Sequence, residues 1–213
     1  AFAYGLELEL QTINIDYLQA FNAFSMAIGA EIRTDKYRII PGEAYAYRDY
    51  DTKQGISLYE SDRSAGIQGF PGIGPSSSVK EYRDVISFYA DAETELTNSF
   101  ILSTAIRFDD YDGFGDTTNI KIAANWHLTK QLSIRSAIST GFRAPSMQQL
   151  YFNNISTQFV TNDNDELVAV DVGTFRNDSI LAQAIGIPEL NEEQSTNFSF
   201  GSVIKPSDSI NIT

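Results

Sequence analysis

Residues 79–143 decide the fold, and they read VKEYRDVISFYADAETELTNSFILSTAIRFDDYDGFGDTTNIKIAANWHLTKQLSIRSAISTGFR. Apolar and polar side chains alternate through four segments of this stretch, and the apolar ones take even numbers. A period of two residues is that of a β-strand with one apolar and one polar face. The apolar series are Tyr82, Ile86, Phe88 and Leu96; Phe100, Leu102, Ile106 and Phe108; Ile120, Ile122 and Trp126; and Leu132, Ile134, Ile138 and Phe142.

The connections between these segments indicate what kind of sheet they form. Thr97-Asn98 and Thr129-Lys130 predict tight hairpin turns, whereas residues 109–118 predict a longer polar loop. Residues 41–78 and 144–192 predict two further long loops, the second with short helices near 146–151 and 179–185. Short connections therefore alternate with long ones, as in outer-membrane barrels that have short periplasmic turns and long external loops.

Further alternating segments flank this stretch. Residues 1–10 and 24–40 predict two strands before it, and residues 197–204 and 210–212 predict two strands after it. Together they predict an all-β fold of about eight antiparallel strands that belong to a transmembrane β-barrel, because open sheet edges find no partners in lipid. Both ends of the chain lie within predicted strands, so we expect it to be a piece of a longer protein.

Aromatic residues on the apolar face predict two girdles at the membrane interfaces. One girdle lies near the short turns and the other near the loop ends of the strands. A soluble β-sandwich is the alternative, because the same rings would cap the ends of a core packed against a second layer. The girdle residues are Phe100 and Trp126 near the turns, and Tyr37, Tyr82, Phe108 and Phe142 near the loops.

Composition excludes several classes of function. The chain has 213 residues, no cysteine, one histidine and a net charge of −13. The absence of cysteine excludes disulfides and thiolate metal sites. Acidic residues gather in the connecting segments 41–79, 109–116 and 144–192, so no basic stripe is available to bind nucleic acid. Without a convergent acid, base and nucleophile, the sequence predicts no enzyme, no metal site and no cofactor.

One motif resembles a known family. Gly141-Phe142-Arg143-Ala144-Pro145, followed by Gln148-Gln149-Leu150-Tyr151, closely resembles the barrel region of TonB-dependent outer-membrane receptors. Residues 29–33, 68–72 and 107–111 add to a likeness that covers essentially the whole chain. The resemblance implies a barrel of about 22 strands that is plugged by an N-terminal domain. Residues 1–213 would be part of that barrel domain, with the plug domain and the C-terminal strands absent from them.

The function that the resemblance implies is active transport. A receptor in the outer membrane of a Gram-negative bacterium would bind a scarce, bulky nutrient at its external loops and import it with energy transmitted by TonB. An iron-siderophore is the first choice of ligand, and cobalamin or an oligosaccharide is the alternative. The partners would be outer-membrane lipid, the nutrient, and TonB through the missing N-terminal part. A passive outer-membrane porin is the rival, since it would share the barrel but lack a plug.

Candidate ligand residues lie where the loops meet the predicted barrel mouth. Four aromatic residues qualify because rim aromatics stack on a siderophore, corrinoid or sugar, with packing of the loop on itself as the alternative. Arg143 qualifies because it is the lumen arginine nearest the external mouth. Arg83, Arg107 and Arg135 also point into the lumen, where Glu93, Glu95 or acids of the plug would pair with them, as buried charges require. The four aromatic candidates are Tyr45, Tyr47, Tyr50 and Phe70.

Overall fold

The computed structural model describes residues 2–48, 66, 72–207 and 210–212. No helix in those ranges is both long and apolar enough to cross a membrane. The helices of the described residues are α1 (Ala44–Tyr47), α2 (Met147–Tyr151) and α3 (Ile180–Ala184), and Pro75–Ser77 form a short 3₁₀ helix. The strands are β1 (Tyr4–Ala20), β2 (Phe24–Pro41), β3 (Val79–Thr97), β4 (Phe100–Tyr111), β5 (Gly115–His127), β6 (Leu132–Arg143), β7 (Asn154–Thr161), β8 (Leu167–Thr174), β9 (Glu193–Ser207) and β10 (Ile210–Ile212).

Eight strands form one sheet in the order β1-β2-β3-β4-β5-β6-β9-β10, and β7 and β8 form a separate pair. The pairs from β3 to β10 are antiparallel. The predicted meander of eight strands is therefore confirmed. The chain divides into two compact units. The loop unit comprises Ala1–Leu10, Asp35–Tyr82 and Pro145–Leu190, and the strand unit comprises Gln11–Thr34, Arg83–Ala144 and Asn191–Thr213.

In the strand unit, the even-numbered side chains form an uncovered apolar face. Phe88 lies opposite Phe108, and Ile138 lies opposite Phe198. Phe88 is 56% exposed, Ile138 50% and Phe198 72%. A continuous face of large apolar side chains would be costly in water but is favourable against hydrocarbon. No second layer covers this face in the part of the chain that the structure describes, as the barrel prediction requires of a side that meets lipid.

The prediction of a long loop between the second and third segments is wrong. β4 continues to Tyr111 and β5 begins at Gly115, so only three residues connect the two strands. Tyr111 and Gly115 are the last pair of the ladder, and the Phe114 N–H donates a hydrogen bond to the Tyr111 carbonyl at 3.1 Å. Gly113 has a φ of 70°, a left-handed conformation that favours glycine. Asp112-Gly113 is a hairpin signal in its own right, and it outweighs the polar character of the stretch.

The loop unit has its own hydrophobic core, to which β2, β3 and α2 contribute. Tyr37, Ile39, Ile73, Val79 and Met147 are buried there. Tyr37 is only 3% exposed, so its predicted place in an outer aromatic girdle is wrong. The reason is the period of two residues, which puts Tyr37 on the same side of β2 as buried Ile39. The partly buried side chains that pack against this core are Tyr4, Tyr151 and Phe152.

The segment between β6 and β9 is more ordered than a loop. The two predicted helices are confirmed as α2 and α3, and each begins after a serine that caps its N-terminus. β7 and β8, which the sequence did not reveal, pair from Asn154 opposite Thr174 to Thr161 opposite Leu167. Most of this segment therefore has its own backbone hydrogen bonds within the loop unit.

Candidate functional site

Arg107 in β4 joins three strands on the polar face of the strand unit. Its Nη2 donates to Glu31 Oε1 of β2 at 3.0 Å and to Ser87 Oγ of β3 at 2.9 Å, while its Nε donates to Asp109 Oδ1 at 2.8 Å. Ser87 Oγ also donates to Asp109 Oδ1 at 2.6 Å. Ser87 is 0% exposed and Asp109 6% exposed, so their polar atoms form hydrogen bonds within this group of side chains and not with water. We call these four residues the Arg107 network.

The acids predicted to pair with Arg107 were the wrong ones. Glu93 instead accepts a hydrogen bond from Ser103 Oγ at 2.8 Å. The register of the β3-β4 ladder explains the difference, because it places Glu93 directly opposite Ser103 and Ser87 directly opposite Asp109. Arg107 therefore reaches the acid two residues along its own strand and Glu31 on β2.

Arginine and aromatic side chains lie around the Tyr111 ring at the end of β4. The guanidinium carbon of Arg33 lies 5.8 Å from the centre of the Tyr111 ring, and that of Arg83 lies 5.3 Å from it. The Phe142 ring is 5.5 Å from the Tyr111 ring, and the Phe114 ring is 6.4 Å from both. Cation-π contacts of this kind contribute about 0.5 to 2 kcal/mol each. Phe142 is thus half-buried in an aromatic cluster, in contrast to the outward girdle position predicted for it.

Two of the aromatic ligand candidates lie together in α1 of the loop unit. Tyr45 is 69% exposed. Tyr47 is half-buried, with the Arg48 guanidinium carbon 5.9 Å from its ring centre, and a Cβ at position 74 would lie 3.4 Å from its ring. Tyr45 is therefore the more exposed of the two side chains, whereas Tyr47 lies close to both Arg48 and Gly74. The other two aromatic candidates, Tyr50 and Phe70, lie outside the described residues.

Arg143 and its motif lie at the end of β6. Arg143 is opposite Glu193 of β9, and Arg143 Nη1 is 3.5 Å from Glu193 Oε2, with both side chains about two-thirds exposed. Gly141 lies opposite Ser195, and a Cβ at position 141 would be 2.6 Å from Ser195 Oγ. The motif thus combines an exposed, weakly paired arginine with a glycine that allows a close approach of two strands. Buried Pro145 then leads into α2.

Arg176 organises the segment between β8 and α3, and the sequence analysis did not identify it. Its Nη2 and Nε donate to the two carboxylate oxygens of Asp178 at 2.6 and 2.9 Å. The Arg176 guanidinium carbon lies 4.8 Å from the centre of the Tyr151 ring, and Nη1 is 3.9 Å from Glu81 Oε1. The hydrogen bonds with Asp178 raise the pKa of Arg176 above its ordinary value. The Arg-x-Asp spacing was the only signal in the sequence, since Tyr151 and Glu81 are distant along the chain.

The acidic residues that the structure describes are not arranged to hold a metal ion. Within residues 2–48, 72–207 and the few others described, no group of three His, Cys, Asp or Glu side chains is placed to hold one. The acidic turn between β7 and β8 is organised by Asn162, whose Oδ1 accepts hydrogen bonds from the N–H groups of Asn164 and Glu166 at 2.9 and 3.0 Å.

Comparison with known proteins points to one family. A family model described as "TonB dependent receptor-like, beta-barrel" matches residues 3–213. The vitamin B12 transporter BtuB of Photobacterium profundum is 26% identical over 38% of this chain and 16% of its own length. A ferric enterobactin receptor of Pseudomonas aeruginosa is 26% identical over 42% of this chain and 12% of its own length.

Solved structures show the same fold. A crystal structure of a mutant ferric enterobactin receptor PfeA from Pseudomonas aeruginosa superposes with a TM-score of 0.62 and 16% identity, covering 97% of this chain and 26% of that one. The siderophore receptor PirA of Acinetobacter baumannii gives a TM-score of 0.58 and 16% identity, covering 98% of this chain and 26% of that one. The chain therefore spans about a quarter of the solved receptors that it matches, and less of the curated relatives.

Proposed function

This chain belongs to the TonB-dependent receptor β-barrel family, and from that premise we propose that it is part of an outer-membrane receptor that imports a scarce nutrient actively. The observation that carries the proposal is the family match over residues 3–213. An uncovered apolar face behind a charged and polar face supports it, because a barrel wall meets lipid on one side and an aqueous lumen on the other. Residues 1–213 would belong to the barrel domain, and a plug domain and further strands would belong to the rest of the receptor.

The partners follow from this place in the cell. We propose that the receptor lies in the outer membrane of a Gram-negative bacterium, with its apolar face against lipid. TonB would supply the energy for import by acting on a part of the receptor outside this chain. The protein would act by binding and transport rather than by catalysis.

A ferric siderophore is the ligand class that we propose first. Relatives named as ferric enterobactin receptors support this choice, and a relative named as a vitamin B12 transporter supports cobalamin as the second choice. An oligosaccharide is the remaining alternative. Tyr45 offers a largely exposed side chain for stacking, and Arg143 offers an exposed guanidinium for an anionic group. Tyr47, Tyr50 and Phe70 complete the set of contacts that we propose.

Growth on a single iron source tests the transport proposal. The full-length receptor would be expressed in a Gram-negative host that lacks its own siderophore receptors, with ferric enterobactin as the only iron supply. We expect growth that requires both the receptor and TonB. Growth that persists in a strain without TonB would support a passive porin instead. Failure to transport both ferric enterobactin and, in a matching assay, cobalamin would contradict these two ligands and leave the oligosaccharide as the alternative.

Binding to the same full-length receptor tests the site. We expect Tyr45→Ala to weaken ferric siderophore binding at least roughly fivefold, since a stacked aromatic contact contributes about 1 kcal/mol beyond its buried area. Tyr17→Ala is the matched control, because Tyr17 is also an exposed tyrosine, at 55%, but lies on β1 in the strand unit. Equal affinity in the two variants would remove Tyr45 from the site.

A further inference from the structure

The polar face of the strand unit carries a recess that spans β4, β5, β6 and β9. Its floor is one rung of the sheet, in which Ala123 lies opposite Ala137. The same rung continues to a serine on each side, because Ser103 lies opposite Ala123 and Ser199 lies opposite Ala137. The volume is about 660 Å³, which is within the range of small-ligand sites. We call this space the Ala137 recess.

Two basic side chains line opposite ends of the Ala137 recess. Lys121 is two residues before Ala123 on β5, and Arg135 is two residues before Ala137 on β6. Because the two strands are antiparallel, these bases lie on opposite sides of the floor, with Cα atoms about 14 Å apart. Asn125 lies directly opposite Arg135 and adds an amide at that end.

The Arg135 side chain extends along the backbone of β9. Arg135 lies opposite Gly201, and a Cβ at position 201 would be 3.1 Å from Arg135 Nε and 3.5 Å from its Cγ. Glycine therefore leaves room for the arginine at this point of the wall. The nearest residues on the same face of β9 are Ser199 and Val203, so the arginine reaches a strand that offers it no carboxylate there.

Neither base has an acidic partner in the part of the chain that the structure describes. No ion pair or hydrogen bond of the described residues involves the Lys121 or Arg135 side chain. Glu93 is the one acid among the described residues that line the recess, and it accepts a hydrogen bond from Ser103 Oγ at 2.8 Å. Glu93 is on β3, three strand spacings or about 14 Å from Arg135. The lining therefore carries a net positive charge.

We propose that the Ala137 recess binds a multivalent oxyanion, a small solute that carries two or more carboxylate or phosphate groups. Bases at opposite ends suit anionic groups at two ends of one solute, and the serine hydroxyls and the Asn125 amide can donate to further oxygens. The alanine methyl groups leave space and add no competing acceptor. A nutrient with such groups would gain a contact inside the barrel besides those at the loops. The proposal rests on the proposed function in one respect, since the polar face has to line an aqueous lumen.

Thiol modification of the full-length receptor tests the charge of the recess. The chain has no cysteine, so Ala137→Cys places one thiol on the floor once any cysteines elsewhere in the receptor are replaced. Relative to a free thiol, a sulfonate methanethiosulfonate should be favoured about tenfold over a trimethylammonium one, because two positive charges lie nearby. The preference should vanish in K121Q/R135Q. Ala105→Cys is the matched control, because Ala105 shares the face but lies between Asp91 and Lys121, whose charges cancel.

Protection by citrate tests the occupant. At constant ionic strength, saturating citrate should slow the modification of Ala137→Cys by uncharged methyl methanethiosulfonate roughly fivefold, whereas acetate should not, since one carboxylate cannot reach both bases. Equal rates in citrate and acetate, or protection that persists in K121Q/R135Q, would overturn the proposal. A thiol at position 137 that none of the three reagents reaches would mean that another part of the receptor fills the recess, and would overturn it too.

Heat-dependent electrophoretic mobility verifies that each variant is folded. The growth test on ferric enterobactin uses the receptor without substitutions, so a failure of nutrient transport and a failure of this site give different results.

Discussion

Replacing Arg107 by alanine should destabilise the receptor more than the loss of an exposed ion pair. The substitution removes the hydrogen bonds to Glu31, Ser87 and Asp109, which span 2.8 to 3.0 Å. Asp109, only 6% exposed, would keep Ser87 as its partner within the network but lose its positive charge. A carboxylate in that position is poorly solvated, so the folded state carries the penalty.

The size of the stability loss in Arg107→Ala can be estimated from how deeply the Arg107 network is buried. Breaking a buried ion pair costs about 3 to 5 kcal/mol, and a hydrogen bond to a charged group contributes about 1.5 to 3 kcal/mol. The Arg107 side chain is 36% exposed, so water can enter the space that it leaves. We therefore expect a loss of about 2 to 3 kcal/mol in the free energy of unfolding.

Urea unfolding of the full-length receptor in lipid, followed by electrophoretic mobility, measures this loss. Arg143→Ala is the matched control, because its ion pair with Glu193 is long and about two-thirds exposed and should contribute less than about 0.5 kcal/mol. Adding Asp109→Asn to Arg107→Ala should cost less than the two single losses together, since it removes the unpaired charge. If Arg107→Ala and Arg143→Ala differed by less than about 0.5 kcal/mol, the buried network would not have the strength inferred here.

Three other outcomes are expected. Gly141→Val should cost about 1 to 3 kcal/mol in urea unfolding, because a Cβ there would lie 2.6 Å from Ser195 Oγ, and an unchanged midpoint would contradict this. Trp126 is 49% exposed on the apolar face, so lipids brominated on their acyl chains should quench its fluorescence in a receptor whose other tryptophans are replaced. Unquenched fluorescence would place Trp126 away from lipid. Arg176→Ala should speed proteolysis within residues 145–190 with little change in global stability, and Arg176→Lys should recover only part of the protection, since lysine cannot bind Asp178 through a guanidinium fork. Equal proteolysis of wild type and Arg176→Ala would show that this contact does not hold the segment.

The faces of the sheet could be predicted because a period of two is a local property of the sequence. Each apolar residue from Ile86 to Phe108 reports its own side of the strand, without reference to a distant partner. The same rule applies to Tyr37, whose odd number puts it on the side of β2 that Ile39 occupies and not in the outer girdle. The girdle prediction for Tyr37 overlooked its odd number, whereas the alternation of apolar and polar faces itself holds in the structure.

The Arg107 network could not be predicted from the sequence. Glu31 is 76 residues before Arg107, and only the register of β2, β3 and β4 brings the two side chains together. A shift of one residue in a ladder would turn the whole set to the other face. Arg176 has the same difficulty, because Tyr151 and Glu81 reach it from other parts of the loop unit. Contacts of this kind depend on long-range register, which alternation alone does not specify.

The unequal connections of the sheet give its assembly an order in time. β3 to β6 are joined by residues 98–99, 112–114 and 128–131, whereas β9 reaches β6 only after residues 144–192. Bringing chain ends together costs about 0.6 kcal/mol for each doubling of the intervening length, and the last connection is roughly four doublings longer than the β4-β5 turn. We expect β3 to β6 to form first and β9 to pair with β6 later. β6 would then be an unpaired edge strand while the sheet inserts into the membrane.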